Sequence, residues 1–262
     1  MAMKLYIGTS GCDYPHWGNG VFYHNGLPAD KWLEFYSRQF NGLELATTAH
    51  QLPDNDTIMA WLKTTPREFH FAVKGPTYIT HIKRLKDAGG SLRAMAGSMK
   101  IFKPKIACFL WQLPSGFKKD NQGLADFCSL LKRTKPFAEF RHVFEFTDVS
   151  WFCDDVYGIL KDHRACLCFT DPPEKPGEWA VTTDFIYLRF NGGKAFYNSS
   201  YSRNELEQLA DKVRAFSAKG GPASGGRDQV KTVYAFFSND EQGFAVYNAQ
   251  TFRMLLLERR ML

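Results

Sequence analysis

The sequence predicts an α/β chain folded as a single (β/α)8 TIM-type barrel, and three observations carry that expectation. Eight short segments, apolar throughout or alternating, each lead toward a stretch of polar or helical character, and alternation of that kind calls for a parallel sheet with crossover connections. The 262 residues are close to the roughly 250 that one such barrel uses, so residues 1–262 are expected to form one domain. Each apolar segment also ends in Gly, Pro or a polar residue, the punctuation that places loops at strand ends. The competing open, doubly wound sheet needs a Gly-rich phosphate turn after its first strand, which Gly8 to Gly11 approach only faintly.

Taken in order, Lys4 to Thr9 alternates Leu5, Ile7 and Thr9 against Tyr6 and Gly8, and Ser10-Gly11 ends it as a strand. Pro28 to Tyr36 has helical spacing, with Pro near a helix start. Gly42 to Thr47 reads as the second strand, and Asn55 to Thr64 as a helix opened by an Asn or Asp cap. In the third strand Phe69, Phe71 and Val73 share one face, and Gly75-Pro76 stop it because Pro has no ladder donor. A helix is expected from Ile82 to about Lys100, weakened by Gly89-Gly90. Lys105 to Gln112 is a continuous apolar run, as a strand covered on both faces requires, and Leu113-Pro114 end it.

Asn121 to Lys132 then reads as a helix, Arg141 to Thr147 as the fifth strand and Asp154 to His163 as the helix after it. Ala165 to Thr170 is the sixth strand, closed by Asp171-Pro172-Pro173, and Asp184 to Phe190 the seventh. Ser202 followed by Glu205 has the chemistry of a helix start, with the helix running to about Ala218. Residues 219–229 are Gly-rich and are expected to form a mobile internal loop. Lys231 to Phe237 is the eighth strand and Ala245 to Leu257 the last helix.

With 44% apolar residues the chain can bury a sizeable core, and its six cysteines are scattered rather than paired in a metal spacing. Cys166 and Cys168 point to one face of a strand, where thiols pack as small apolar groups. The start lacks the long apolar region of a signal peptide, and no apolar run reaches membrane-spanning length. The expectation is a cytoplasmic protein with reduced thiols and no membrane partner. The net charge of +6 and the basic run Lys83, Arg84, Lys86, Arg93, Lys100, Lys103 and Lys105 raise a nucleic-acid partner as an alternative. No helix-turn-helix, zinc-finger or aromatic RNA-binding signature accompanies the charge, so a solvated helix face with weak polyanion affinity is the reading preferred.

In a barrel of this type chemistry is read at the carboxyl ends of the strands. Glu44, Lys74 and Glu145 are the candidate catalytic residues, with Glu145 as the acid or base and Lys74 as an anion holder or a partner of Glu44. Arg189, Gln112, His81, Asn239, Asp240 and Ser10 are the candidate substrate-binding residues, Arg189 as an anion clamp or an interior brace. Asp171, Asn191 and His50 fall at strand ends as well. The same carboxylates and histidines form no local metal motif, so no metal site is expected; the cofactor stays open. Tyr14, Trp17, Phe22, Tyr23, Trp151, Tyr197 and Tyr201 lie in or beside loops, where they pack the loops down or stack on a sugar or base.

These residues resemble one family over almost the whole chain. Ile7 to Gly11 with Tyr14 and Trp17, Val21-Phe22-Tyr23, Glu44-Leu45, Phe71 to Lys74 with Ile79-Thr80-His81, and Gln112-Leu113-Pro114 all fit the YecE-like family, domain of unknown function 72. Glu145-Phe146 with Ser150-Trp151-Phe152, Tyr187-Leu188-Arg189, Tyr201-Ser202, Tyr234 to Asp240 and Asn248-Ala249 continue the match. The resemblance implies a TIM-type barrel and carries no established activity, substrate or cofactor. This chain departs from the family pattern at Cys12, Ala46, Ala49-His50, Thr147-Asp148, Asn191 and Ser238. Several of these fall at strand ends, which implies either a different substrate from most relatives or a lapsed activity. The expected function is an enzyme for a small polar, anionic substrate, with a binding protein, including one for nucleic acid or a nucleotide, as the alternative.

Overall fold

The computed structural model describes residues 3–171, 178–195, 197–219 and 230–259. Its strands are β1 (Lys4–Ser10), β2 (Gly42–Leu45), β3 (His70–Lys74), β4 (Ile106–Gln112), β5 (His142–Glu145), β6 (Cys166–Thr170), β7 (Phe185–Phe190) and β8 (Thr232–Phe237). The helices are α1 (Trp32–Gln39), α2 (Asn55–Thr64), α3 (Gly89–Phe102), α4 (Asn121–Arg133), α5 (Asp154–Asp162), α6 (Arg203–Lys219) and α7 (Phe244–Glu258). The strands follow one another in chain order as a closed parallel barrel, the fold class the sequence predicts. Two compact units make up the chain, Met1–Glu44 with Cys168–Leu262, and Leu45–Leu167. No helix among the described residues is long and apolar enough to cross a membrane. All but the first residue of the expected mobile loop at 219–229 lies outside the described residues.

In the first unit β1 lies between β2 and β8, with Ser10 opposite Glu44 and Lys4 opposite Thr232. Gly8 permits the β1–β2 approach: a Cβ there would stand 1.9 Å from the Gly42 carbonyl oxygen. The Tyr36 hydroxyl fills the space left, accepting from the Thr9 backbone N–H at 2.8 Å and donating to the Gly42 carbonyl at 3.0 Å. Backbone groups that a short β2 leaves unpaired are thereby satisfied by a helix side chain. Phe190, Phe237 and Phe252 bind β7, β8 and α7 together, with ring centroids 4.6 Å apart for the first pair and 5.8 Å for Phe237 and Phe252. Burying each such ring contributes about 1.5–3 kcal/mol. At the start of α6, Ser202 and Glu205 form a capping box: Glu205 Oε2 accepts from the Ser202 N–H at 2.8 Å, and the Glu205 N–H donates back to Ser202 Oγ at 3.3 Å.

In the second unit β3, β4 and β5 pair in parallel, and β5 pairs with the first residues of β6. Trp111 and Phe109 of β4 stack at 5.7 Å, and the edge of Phe127 from α4 meets Trp111 at 5.0 Å. His142 is half-buried in this cluster in its neutral form, its Nδ1 accepting from Trp111 Nε1 at 3.2 Å and its Nε2 facing the Phe137 carbonyl at 3.0 Å. Burial pushes its pKa down to about 4. Cys166 here and Cys168 in the first unit are both buried, as expected for packing thiols.

Three local expectations are corrected. The second and fifth strands stop at Leu45 and Glu145, because Thr47–Ala49 and Val149–Trp151 turn into short 3₁₀ helices. The helix expected from Ile82 begins only at Gly89, so Gly89-Gly90 open it rather than weaken it. Residues Tyr78–Ile82 form a π-turn, and Arg84, Leu85 and Asp87 take positive φ angles of 48°, 68° and 49°. Burial of Leu85 holds that bend against the helix propensity of the segment. The described residues between β6 and β7 contain no helix, so the alternation has seven helices among the described residues.

Candidate functional site

The first unit gathers polar side chains at the carboxyl ends of β1, β2, β6, β7 and β8. The register sets Ser10 beside Glu44, and Ser10 Oγ donates to Glu44 Oε1 at 2.6 Å. Tyr187 and Arg189 share a face of β7 by the two-residue period. Both reach Glu44: the Tyr187 hydroxyl donates to Oε2 at 2.5 Å and Arg189 Nε to Oε1 at 3.1 Å. Glu44 is fully buried and the Arg189 side chain is 5% exposed. A carboxylate with both oxygens engaged suits the fixing of a guanidinium better than proton transfer.

Next to this pair, Asp171 follows β6 and Asn191 follows β7. Asp171 Oδ1 accepts from the Asn191 N–H at 2.7 Å, and Oδ2 accepts from the Tyr201 hydroxyl. Tyr201 in turn accepts from the Gly192 N–H at 2.8 Å. Asn191 completes the layer, donating to Thr170 Oγ1 and accepting from Ser238 Oγ, each at 2.6 Å. Burial pushes the Asp171 carboxyl up to about 6, against the hydrogen bonds from Tyr201 and Asn191 and the Arg189 charge, which pull it down. The same burial, with the Asp171 charge, pushes the Tyr201 phenol up.

At the end of β8, Asn239 donates to the Ser199 carbonyl at 2.8 Å and to Asn248 Oδ1 at 2.9 Å, while its own Oδ1 is buried without a hydrogen-bond partner among the described residues. The Asp240 carbonyl accepts from His16 Nε2 at 2.8 Å and Trp17 Nε1 at 3.0 Å. Burial raises the Asp240 carboxyl above the usual range, and His16 opposes the rise.

The second unit carries its own candidates. Gln112 and Glu145 close β4 and β5 in register, and Gln112 Nε2 donates to Glu145 Oε1 at 2.9 Å. Lys74 ends β3, and the Thr48 hydroxyl donates to its carbonyl at 2.7 Å. His81 lies within 2.8 Å of Thr80 Oγ1, and its pKa is lowered by burial first and then by the positive charges of Lys74 and His50. Lys74, His50 and His81 are thus electrostatic neighbours. From the basic run, Lys86 and Lys103 pair with Asp120 and Glu139, and Lys105 is buried against the Thr65 carbonyl at 3.0 Å.

Of the residues expected from sequence, Ser10, Glu44 and Arg189 are in direct contact, and Gln112 meets Glu145. Position in the sequence alone assigns Tyr187 and Tyr201 no role as polar partners. The two-residue offset from Arg189 is the signal that places Tyr187 on the same face, whereas nothing in the sequence brings Tyr201 to Asp171. Trp17, Tyr23 and Trp151 are buried and pack the loops, while Tyr197 is 47% exposed. Among the described residues no three His, Cys, Asp or Glu side chains group as a metal site would require.

The family model described as Protein of unknown function DUF72 matches residues 6–261. The chain belongs to that family. Among its relatives is the UPF0759 protein YunF of Bacillus subtilis (strain 168), 25% identical over 287 aligned positions that cover 96% of this chain and 94% of that protein. The UPF0759 protein YecE of Escherichia coli K12 is 29% identical over 113 residues, 43% of this chain, and the match spans only 39% of the E. coli protein. A crystal structure of a DUF72 family protein from Thermotoga maritima superposes with a TM-score of 0.81 at 27% identity, covering 97% of this chain and 99% of that one. A DUF72 protein from Enterococcus faecalis, 18% identical with a TM-score of 0.77, shares the fold. The two solved DUF72 relatives share this architecture, and the family is described as one of unknown function.

Proposed function

We propose that this DUF72 protein is an enzyme performing acid/base chemistry on a small polar, anionic substrate, with Asp171 moving the proton and Arg189 attracting the negative charge. The observation that carries the reading is Asp171: a strand-end carboxyl held at about 6 by burial, hydrogen-bonded to a phenol and within the field of a buried guanidinium. A carboxyl poised near neutral pH exchanges a proton at little cost in either direction. Glu44, Ser10 and Tyr187 serve this arrangement by fixing Arg189 through Glu44. An anion arriving at Arg189 cancels part of the charge that lowers Asp171, so binding drives Asp171 toward its acid form. In the second unit Glu145, oriented by Gln112, is proposed as a further acid or base, and Lys74 as a second holder of negative charge, with His81 as a substrate-binding residue near it.

The test is a turnover screen of the purified protein against sugar phosphates, nucleosides and hydroxy acids. Turnover is expected to fall by about 10²-fold or more in Asp171→Asn and to show an inflection near pH 6 in the wild type; unchanged turnover in that variant refutes the assignment, and the parallel Glu145→Gln variant judges Glu145 in the same way. The net charge of +6 favours a second reading, a binding protein for a polyanion. A salt titration with RNA and DNA decides it, since absence of affinity at low ionic strength eliminates that reading.

A further inference from the structure

Beside the strand ends of the first unit lies a cleft of about 590 Å3 lined by His16, Tyr197, Asp240, Glu241 and Gln242. Its volume falls in the range of small-molecule sites. Its walls are held in place. The Asp240 carbonyl is fastened by His16 and Trp17, and the Tyr197 N–H donates to the Asn191 carbonyl at 2.7 Å. Tyr197 and Gln242 both take left-handed backbone conformations, φ 61° and 55°. Each such residue costs on the order of 1 kcal/mol, and strain of that kind concentrates at ligand clamps.

The chemistry of the lining narrows the ligand. The Asp240 carboxylate faces the His16 imidazole at 3.6 Å and Glu241 adds a second carboxylate to the lining, a balance that disfavours an anion on this part of the surface. The Tyr197 ring is half-exposed, a flat apolar platform beside acceptors from Asp240 and Glu241 and the amide of Gln242. An apolar face next to clustered acceptors is what a polyol ring presents its C–H face and its hydroxyl donors to. The cleft is also tied to Glu44 and Arg189. Tyr14 packs on His16 and Trp17 at 5.5 and 4.7 Å, and its hydroxyl donates to the Ser10 carbonyl at 2.6 Å. Ser10 in turn holds Glu44.

We infer that this cleft binds the ring of a sugar, with Tyr197 as the stacking platform and Asp240, Glu241 and Gln242 as hydroxyl partners. Resting on the reading above, in which Arg189 attracts the anion, this makes the substrate class a sugar that carries a carboxylate or a phosphate. The cleft recognises the neutral ring, and the strand-end pair recognises the charge.

Saturation-transfer NMR on the full chain tests the inference with neutral probes, namely methyl glucoside, methyl galactoside, ribose and N-acetylglucosamine at millimolar concentration. At least one is expected to receive saturation, to bind about three- to tenfold more weakly in Tyr197→Ala, and to keep its affinity in Tyr197→Phe. No transfer to any of the four, an undiminished signal in Tyr197→Ala, or transfer to ethanolamine in their place overturns it. The two readings fail separately. Neutral-sugar binding that persists while Asp171→Asn retains full turnover removes the acid/base assignment and leaves the cleft. Loss of turnover in Asp171→Asn without neutral-sugar binding does the reverse. Glucuronate and glucose 6-phosphate, compared with the neutral ring, distinguish the two sources of charge.

Discussion

Asp171→Asn makes the strongest demand on the electrostatics of the first unit. Burial lifts the Asp171 carboxyl from 3.8 to about 6, so the folded chain holds this proton more tightly than the unfolded chain does. Stability linked to Asp171 is therefore present below about pH 4 and is lost as pH rises through about 6. At about 1.36 kcal/mol per pH unit the full penalty is about 3 kcal/mol, of which about 2 kcal/mol develops between about pH 4.5 and pH 8. An Asn carries no such penalty. It does lose hydrogen bonding, since its one oxygen cannot accept from both the Asn191 N–H and the Tyr201 hydroxyl, at a cost of about 1–2 kcal/mol. The variant should therefore be less stable than the wild type at about pH 4.5 and equal or more stable at about pH 8. Urea denaturation of both proteins at the two pH values measures this. The comparison has to be a difference, because His142, with its pKa at about 4, loses stability in the opposite sense as pH falls below about 6.5. That contribution is common to both proteins and cancels. A difference between them that stays flat within about 0.5 kcal/mol across the range refutes a raised Asp171.

Glu44→Gln leaves the Arg189 guanidinium buried beside a neutral amide and should cost about 3–5 kcal/mol in urea midpoint measurements; a loss below about 1 kcal/mol would mean that the pair is not desolvated. Gly8→Ala drives a methyl group to within 1.9 Å of the Gly42 carbonyl oxygen, and a loss of about 3 kcal/mol or more is expected by thermal melting, with an unchanged melting curve as the refuting result. The His142 ring should remain neutral at about pH 5 by NMR titration, when an exposed histidine is already charged; titration near 6.5 would place it in water.

The strand plan was legible because eight apolar segments with turn chemistry at their ends permit few arrangements, and helix starts such as Asp54 capping α2 at 2.7 Å followed local rules. The bend at Arg84 to Asp87 was not legible, since it depends on the burial of Leu85 rather than on any propensity in the segment. At the site, Ser10, Glu44 and Arg189 could be nominated as polar residues at the ends of apolar strands. Their pairing could not: Lys74 was as good a partner for Glu44 on sequence grounds, and it takes the packing of β7 to bring Arg189 within 3.1 Å. Asp171 was visible as a strand end and its acidity was not, because a raised carboxyl pKa comes from depth of burial, which no local pattern encodes.

The Ser202–Glu205 capping box has a dynamic consequence. Tyr201, whose phenol faces Asp171, is the residue immediately before the first helical cap, so fraying of the α6 start releases the phenol while the strands stay paired. Local opening of this kind needs far less free energy than global unfolding. Amide exchange at residues 201–205 would then follow the same opening that unlatches Asp171, and Ser202, whose capping partner is Glu205 rather than Asp171 or Arg189, would govern how often the proton on Asp171 meets water.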